Sequence, residues 1–347
     1  MPLITQSQQV KEIYQEAAEA GTCIGTFCTD DQRTTESILK GTYEKSTELG
    51  KPNLPVVLGF SVNYPPRGGM NLYTTVKNPK LGLRAIFDDV DMLLSEESPY
   101  RNLRVMLHLD HAFPWLDADA LYNYADKFAT VMYDASEKPF EENMRMTAEY
   151  VEQLGDKVLV EGCVDEIAEA GTDAKNEITT VEQAEKFVSR TGVDLIVANL
   201  GTEHRATTAD KHYHGHRARE ISKVLGKILV LHGTSCLKNE DLYSLASDGI
   251  IKVNVFTLLA VVGGQAVGDF VLENIGNMYD RRQIKKMVKI GILGRRFLEA
   301  EYIEDKCQGQ LNPKLNIVAE TLRRDAYVAR VKEQIKRYLD AFGYAKL

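Results

Sequence analysis

Asp110 and His111 stand side by side in LHLDHAF, at the end of the apolar run RVMLHL (104–109). An aspartate beside an imidazole suits proton transfer or metal binding. Two further histidines sit in comparable places. His204 lies in LGTEHR, after DLIVANL (194–200), and His232 closes ILVLH (228–232) and opens LHGTSC. Three imidazoles that converge, with a fourth position open, form the ligand pattern of a catalytic zinc. The bland alternative is three ordinary strand-end residues on a loop-rich face. Asn254, near the end of IIKVNV (250–255), and Thr257 just beyond add polar groups at one more strand end. The other four histidines point less clearly. His108 falls inside an apolar run, as core or support, and His212, His214 and His216 share the loop HYHGH. The spacing in HYHGH suits a metal, but such loops are more often simply exposed.

Whether these residues meet depends on the elements that carry them. Short apolar runs bounded by turn residues read as buried parallel strands. They are CIGTF (23–27), PVVLGF (55–60), RVMLHL (104–109), TVMYD (130–134), VLVEGC (158–163), DLIVANL, ILVLH and IIKVNV. Helical patterns fill the gaps, among them TTESILKGTYEKSTELG, LRAIFDDVDMLLSEE and FEENMRMTAEYVEQLG. A strict β–α alternation predicts an α/β fold, a (β/α)8 TIM barrel, whose active site sits at the C-terminal ends of the strands. A doubly wound open sheet is the runner-up, but no GxGxxG follows the first strand. No linker divides the chain, so residues 1–347 read as one barrel domain. Residues ~265–347 form its last helix plus a helical extension, which includes IKKMVKIGILGRRFLEA and AETLRRDAYVARVKEQIKRYLDAF. That extension is expected to pack on the barrel or on a neighbouring subunit.

Composition narrows the partners. The net charge of −8 argues against nucleic acid or an anionic membrane as the main partner. Five widely spaced cysteines, with no CxxC pair, predict a reducing, cytoplasmic setting rather than a disulfide framework. The N-terminal stretch has no apolar core of a secretory signal. The longest apolar run, VFTLLAVV, falls far short of the ~20 residues of a membrane helix.

LHLDHAF, VEGC, NLGTEHR, LHGTSC and KVNVFT, taken in this order and spacing, resemble the class II, metal-dependent ketose-bisphosphate aldolases, which act on fructose and tagatose bisphosphates. MYDASEKPFEEN and the C-terminal DAYVARVKEQIKRYLDAFG add to the likeness, which runs over nearly the whole chain. The resemblance implies that His111, His204 and His232 bind a catalytic Zn2+, with other divalent metals as alternatives. It implies Asp110 as the acid/base at the hydroxyl of the aldehyde half and Asn254 as a hydrogen-bond partner of the enediolate. It implies that Gly201, Gly233, Ser235 and Thr257 cradle a phosphate with backbone N–H groups. The substrate would be a phosphorylated sugar, split reversibly into dihydroxyacetone phosphate and an aldehyde, and the protein a homodimer or larger homo-oligomer.

Departures from the family pattern fall in the substrate pocket. Thr234 and Cys236 stand where the family carries glycines that let a backbone approach phosphate. Phe256 puts an apolar ring beside the same pocket. Arg205 stands after the metal histidine where the family has glycine, and suits an anion. Glu161 keeps the first glutamate of the family's VEAE motif, while Cys163 replaces the second, which lies near the metal. Cys163 reads as a soft metal ligand or as a small buried hydrophobe. Ser61 and Arg67 are candidates for the far anionic end of the substrate, or parts of a solvated loop. Glu166, Glu169 and Glu177 are candidate second acid/bases. These departures predict a non-standard substrate. A catalytically retired structural or regulatory subunit of an aldolase complex is the competing reading, and an isomerase or epimerase that keeps the metal is a third.

Overall fold

The computed structural model describes residues 3–65, 68–168, 170, 177–206 and 212–347. A two-residue strand β1 (Leu3–Ile4) and helix α1 (Ser7–Ala20) precede the barrel. Then come β2 (Ile24–Cys28), α2 (Gln32–Leu49), β3 (Pro55–Phe60), α3 (Pro79–Leu93), β4 (Arg104–Ala112), α4 (Ala118–Asn123) and β5 (Thr130–Tyr133). The alternation continues through α5 (Phe140–Leu154), β6 (Leu159–Cys163), α6 (Val181–Thr191), β7 (Leu195–Val197), α7 (Gly215–Leu225) and β8 (Leu229–Leu231). It ends with α8 (Asn239–Ser244), β9 (Ile250–Val255) and α9 (Thr257–Glu273). The helices start and stop on local signals. Asp31 accepts from the backbone N–H groups of Arg33 and Thr34 at the head of α2, and Gly50 closes that helix at φ 66°. Thr180 and Gln183 form a reciprocal capping box on α6.

Strands β2 to β9 all pair in parallel, in the order β4-β3-β2-β9-β8-β7-β6-β5, and β5 pairs back onto β4. The sheet is therefore closed, a (β/α)8 barrel, and the open doubly wound alternative is excluded. Two expectations change in detail. β4 runs on to Ala112, past the predicted end at Leu109, with a register shift against β5 between Leu109 and Ala112. His111 there takes φ 48°, a left-handed backbone that re-aims its side chain, as bulges do. The second change is α1, which the sequence analysis did not single out. Its Val10, Ile13, Tyr14 and Ala17, spaced i, i+3, i+4, i+7, are buried against Ile24, Val57, Met106, Leu159, Leu195 and Val230. These residues stopper the N-terminal end of the barrel, each large side chain contributing roughly 1.5–3 kcal/mol of apolar burial.

The chain forms two compact units, Met1–Leu258 with Gln334–Leu347, and Leu259–Glu333. In the second, α10 (Ile275–Met278), α11 (Arg281–Lys289) and α12 (Ala300–Cys307) surround a small core of Ile275, Ile284, Phe297, Ile303, Cys307 and Leu311. The C-terminal end of α13 (Ala326–Ala341) belongs to the barrel unit. Tyr338 and Phe342 pack on Phe27 of β2, with ring centroids 6.1 and 6.4 Å away, and the Gly25 N–H donates to the Tyr344 hydroxyl at 3.0 Å. This part of the extension packs on the barrel. Among the described residues no helix is long and apolar enough to cross a membrane.

Candidate active site

The C-terminal strand ends carry the polar residues. His111 comes from the β4 bulge, His204 from the segment after β7, and His232 from the residue after β8. Each offers one ring nitrogen, and these three atoms lie within 4.8 Å of one another. The loops that bring them together are stitched tightly. The Thr202 hydroxyl donates to the His232 carbonyl at 2.8 Å. Gly233, at φ 69°, lies where a β-carbon would stand 2.7 Å from the Glu203 carbonyl oxygen, so only glycine fits there.

Each imidazole has support. His111 Nδ1 meets Asp134 Oδ2 at 2.8 Å, and Tyr64 stacks on the His111 ring with centroids 4.6 Å apart. Burial pushes the Asp134 carboxyl up, but the bonds to His111 and Ser136 outweigh it and hold it below the usual range. That bond leaves His111 Nε2 to face the cluster, the carboxylate–histidine arrangement common around metals. Tyr64 Oη lies 3.3 Å from His204 Nδ1. His232 Nε2 lies 3.4 Å from Glu161 Oε1. Burial lowers the His232 pKa to about 4, against the pull of Glu161, so the ring is neutral at pH 7. Three imidazoles, with the Asp134 carboxylate behind His111 and Glu161 beside His232, form a donor set that fits zinc.

Asp110 is 3% exposed beside this cluster. Its Oδ1 accepts from Asn254 Nδ2 at 2.9 Å, and its Oδ2 from the Cys28 thiol at 3.6 Å. Beneath lies a fully buried lysine. Lys252 Nζ reaches Glu161 Oε2 at 2.7 Å, Asn254 Oδ1 at 3.0 Å and His108 Nε2 at 3.1 Å. Burial would raise the Glu161 carboxyl, but the Lys252 ammonium, with His108 and His232, holds it at about 2. A cavity opens above these groups. Arg205, Ser235, Phe256 and Thr257 line its wall, together with Cys28 and Tyr64.

A family model described as class-II fructose-bisphosphate aldolase matches residues 8–294. The chain belongs to that family. It is accordingly an aldolase, a carbon–carbon lyase. It is 28% identical over 293 residues to the fructose-bisphosphate aldolase of Staphylococcus epidermidis, covering 82% of this chain and 91% of that one. The Geobacillus stearothermophilus fructose-bisphosphate aldolase is 27% identical over 294 residues, with coverages of 82% and 94%. Among solved structures, the Campylobacter jejuni fructose-bisphosphate aldolase superposes with a TM-score of 0.73 at 19% identity, covering 98% and 95% of the two chains. The YdjI aldolase of Escherichia coli gives 0.64 at 20% identity, covering 98% and 97%. At these identities the structural likeness speaks for the fold.

The aldolase's other predicted site residues fall in several places. Glu161 sits under His232, whereas Cys163, also buried, lies outside the three-histidine cluster. Its thiol donates to the Asp165 carbonyl, and it lines a second cavity with Asp134, Glu137 and Glu166. Gly201, at φ 85°, packs against the His212 carbonyl and His214, and does not line the main cavity. Ser61 is fully buried after β3 and lines neither cavity. Arg67 and Glu169 lie outside the described residues, and Glu177 is exposed. Thr234 and Cys236 turn inward: the threonine hydroxyl donates to the Asn254 carbonyl and the thiol to the Gly233 carbonyl, each at 3.0 Å. Among the described residues, His212, His214 and His216 join no metal-type cluster. Sequence reasoning missed Tyr64, Asp134, Cys28 and Lys252. For Lys252 the signal was a charge in the middle of the apolar strand IIKVNV; for Asp134 it was a strand-end acid like Asp110.

Proposed function

We propose that this aldolase is zinc-dependent and reversibly cleaves a phosphorylated ketose into dihydroxyacetone phosphate and an aldehyde. The observation that carries the reading is the meeting of three histidine donor atoms beside a buried aspartate. His111, His204 and His232 would hold the metal. A zinc ion bound there supplies Lewis acidity toward the carbonyl and hydroxyl oxygens of the sugar. Asp110 takes the proton from the hydroxyl of the departing aldehyde half and returns it in synthesis. Asn254 donates an N–H to the enediolate that cleavage leaves. Gly233, Ser235 and Thr257 face the phosphate end with backbone N–H groups near the start of α9.

The substrate is non-standard in this reading. Arg205 lines the cavity at φ 55°, a left-handed conformation that costs a side-chain-bearing residue roughly 1–3 kcal/mol. A guanidinium held there at that cost suits an anion, and Phe256 narrows the same wall with an apolar ring. Arg67 remains a candidate for the far end of the substrate, whereas Ser61, fully buried, lines neither cavity. We place the protein in the cytoplasm as a homodimer or larger; a monomer by light scattering would refute the assembly.

The test starts from protein purified without chelator, with zinc measured per chain. Release of dihydroxyacetone phosphate is then followed on a panel of ketose 1-phosphates and bisphosphates, before and after EDTA. One zinc per chain and EDTA-sensitive cleavage of a panel member are expected, with His204→Ala inactive. A zinc-reconstituted protein that cleaves nothing would overturn the reading, and isomerised sugar without aldehyde would reassign it.

A further inference from the structure

Among the described residues Lys252 is the largest charged side chain that is fully buried, and the reaction just described gives it no part. It extends from β9 into the barrel, where its ammonium has three N–H groups and meets three acceptors. Each acceptor's other side is also engaged. His108 accepts at Nε2, so its Nδ1 carries the proton and donates to the Thr130 hydroxyl at 2.8 Å. Glu161 gives one oxygen to Lys252, and the other faces His232. Asn254 gives its oxygen to Lys252, and its nitrogen donates to Asp110.

The last pair has a chemical consequence. An asparagine side chain ends in a donor and an acceptor of nearly equal shape, and only its partners decide which points where. Were the amide reversed, its carbonyl would face the Asp110 carboxylate, and its NH2 would face an ammonium. Both contacts would be repulsive. With Lys252 holding the oxygen, Asn254 presents only N–H groups to Asp110 and to the cavity. A donor there stabilises developing negative charge; a carbonyl would oppose it.

We propose that Lys252 is a positioning residue for the aldol step, its ammonium fixing Asn254 as a pure hydrogen-bond donor toward Asp110 and the substrate. The role rests on the aldolase reading above for its kinetic effect, but not for its structural one. Burial of the Lys252–Glu161 pair contributes little net stability, because the desolvation of two charges offsets their attraction. Removing the lysine alone would strand a buried carboxylate, so the test removes both charges together.

The decisive comparison is Lys252→Met with Glu161→Gln against Lys252→Gln with Glu161→Gln, in the full chain loaded with zinc. The two variants have the same charge and similar volume, and differ in whether residue 252 carries an N–H donor. We expect equal zinc per chain in both. We expect kcat at least about tenfold lower in the methionine variant, with KM within about threefold, the signature of a group acting in the transition state. Its crystal structure should show Asn254 Nδ2 beyond about 3.5 Å from Asp110, against hydrogen-bond distance in the glutamine variant. Equal kcat, with Asn254 unmoved in both, would reduce Lys252 to a counter-ion for Glu161 and overturn the proposal. Should neither variant fold, Lys252→Arg keeps the charge but not the tetrahedral donor set. In that variant an unchanged kcat with Asn254 Nδ2 displaced from Asp110 would overturn the proposal equally. If the unmodified enzyme cleaves no substrate, the aldolase reading fails, and the Asn254 position in the crystal structures alone decides the role of Lys252.

Discussion

The two ends of this barrel are built on the same strands and differ in almost every other respect. Along alternate residues β4 carries Met106, His108 and Asp110, β6 carries Leu159, Glu161 and Cys163, and β9 carries Lys252 and Asn254. Period two keeps these residues on one face, so each strand passes from an apolar layer to a polar one within about 7 Å. At the N-terminal end Met106 and Leu159 meet the stopper formed by α1, and burial alone holds them. At the C-terminal end the buried groups are satisfied by one another, through Lys252, Glu161, Asn254 and Asp110. The difference teaches that stability and chemistry are divided along the barrel axis rather than between domains. The apolar layer supplies free energy that the polar layer cannot, since buried ion pairs seldom recover their desolvation.

Two substitutions on one strand put this division at greatest risk. Asp110→Asn should lower kcat by about 10^3-fold, since it removes the acid/base while keeping the Asn254 neighbour. Its urea midpoint should stay within experimental error of the unmodified enzyme. Met106→Ala, four residues earlier, should do the reverse. It should cost about 2–5 kcal/mol of stability in urea denaturation, with kcat at low temperature nearly unchanged. If Met106→Ala loses activity in proportion to stability, the two layers are one cooperative site and the comparison fails.

Much of this division was legible in the sequence. The barrel followed from eight apolar runs alternating with helical patterns, because parallel strands buried on both faces leave that mark. Asp110, His111, His204, His232 and Asn254 were legible because each follows or ends such a run. The Lys252 network was not, because a hydrogen bond between β9, β6 and β4 depends on barrel register, and no local pattern encodes register across a closed sheet. The β4 bulge escaped for a related reason. A φ of 48° at His111 is imposed by tertiary context, where a local reading expects glycine or asparagine. Helix α1 was amphipathic in the sequence, but nothing there says that its apolar stripe closes a barrel. The glycines of the loops were read as a phosphate cradle; Gly201 and Gly233 also let the His204 and His232 segments approach neighbouring backbone.

A smaller effect sharpens the polar layer itself. Asp134 touches the cluster only through His111 Nδ1. Asp134→Asn should therefore weaken zinc binding by about 10–100-fold in competition with a chromophoric chelator, while leaving the thermal midpoint of the metal-free protein close to its original value. Tight zinc binding in that variant would mean that the Tyr64 stack, rather than the carboxylate, orients the ring.

The smallest expected effect sits on the boundary between the layers. Burial, and then the nearby Lys252 charge, lowers the His108 pKa below its usual value. The folded protein thus keeps His108 neutral, while the unfolded chain takes up a proton below about pH 6.5. The unfolded state then binds more protons, so stability is full above that pH and falls as the pH drops toward the folded-state pKa. Between pH 7 and pH 6 the loss is at most about 0.7 kcal/mol for this one group. It is measurable as a difference in urea midpoints of the metal-free protein, taken against His108→Gln, in which that contribution is absent. A His108→Gln variant with the same pH slope as the unmodified chain would mean that His108 gains its proton in the folded state as readily as outside it. His108 would then belong to a wetter layer than its contacts with Lys252 and Thr130 imply.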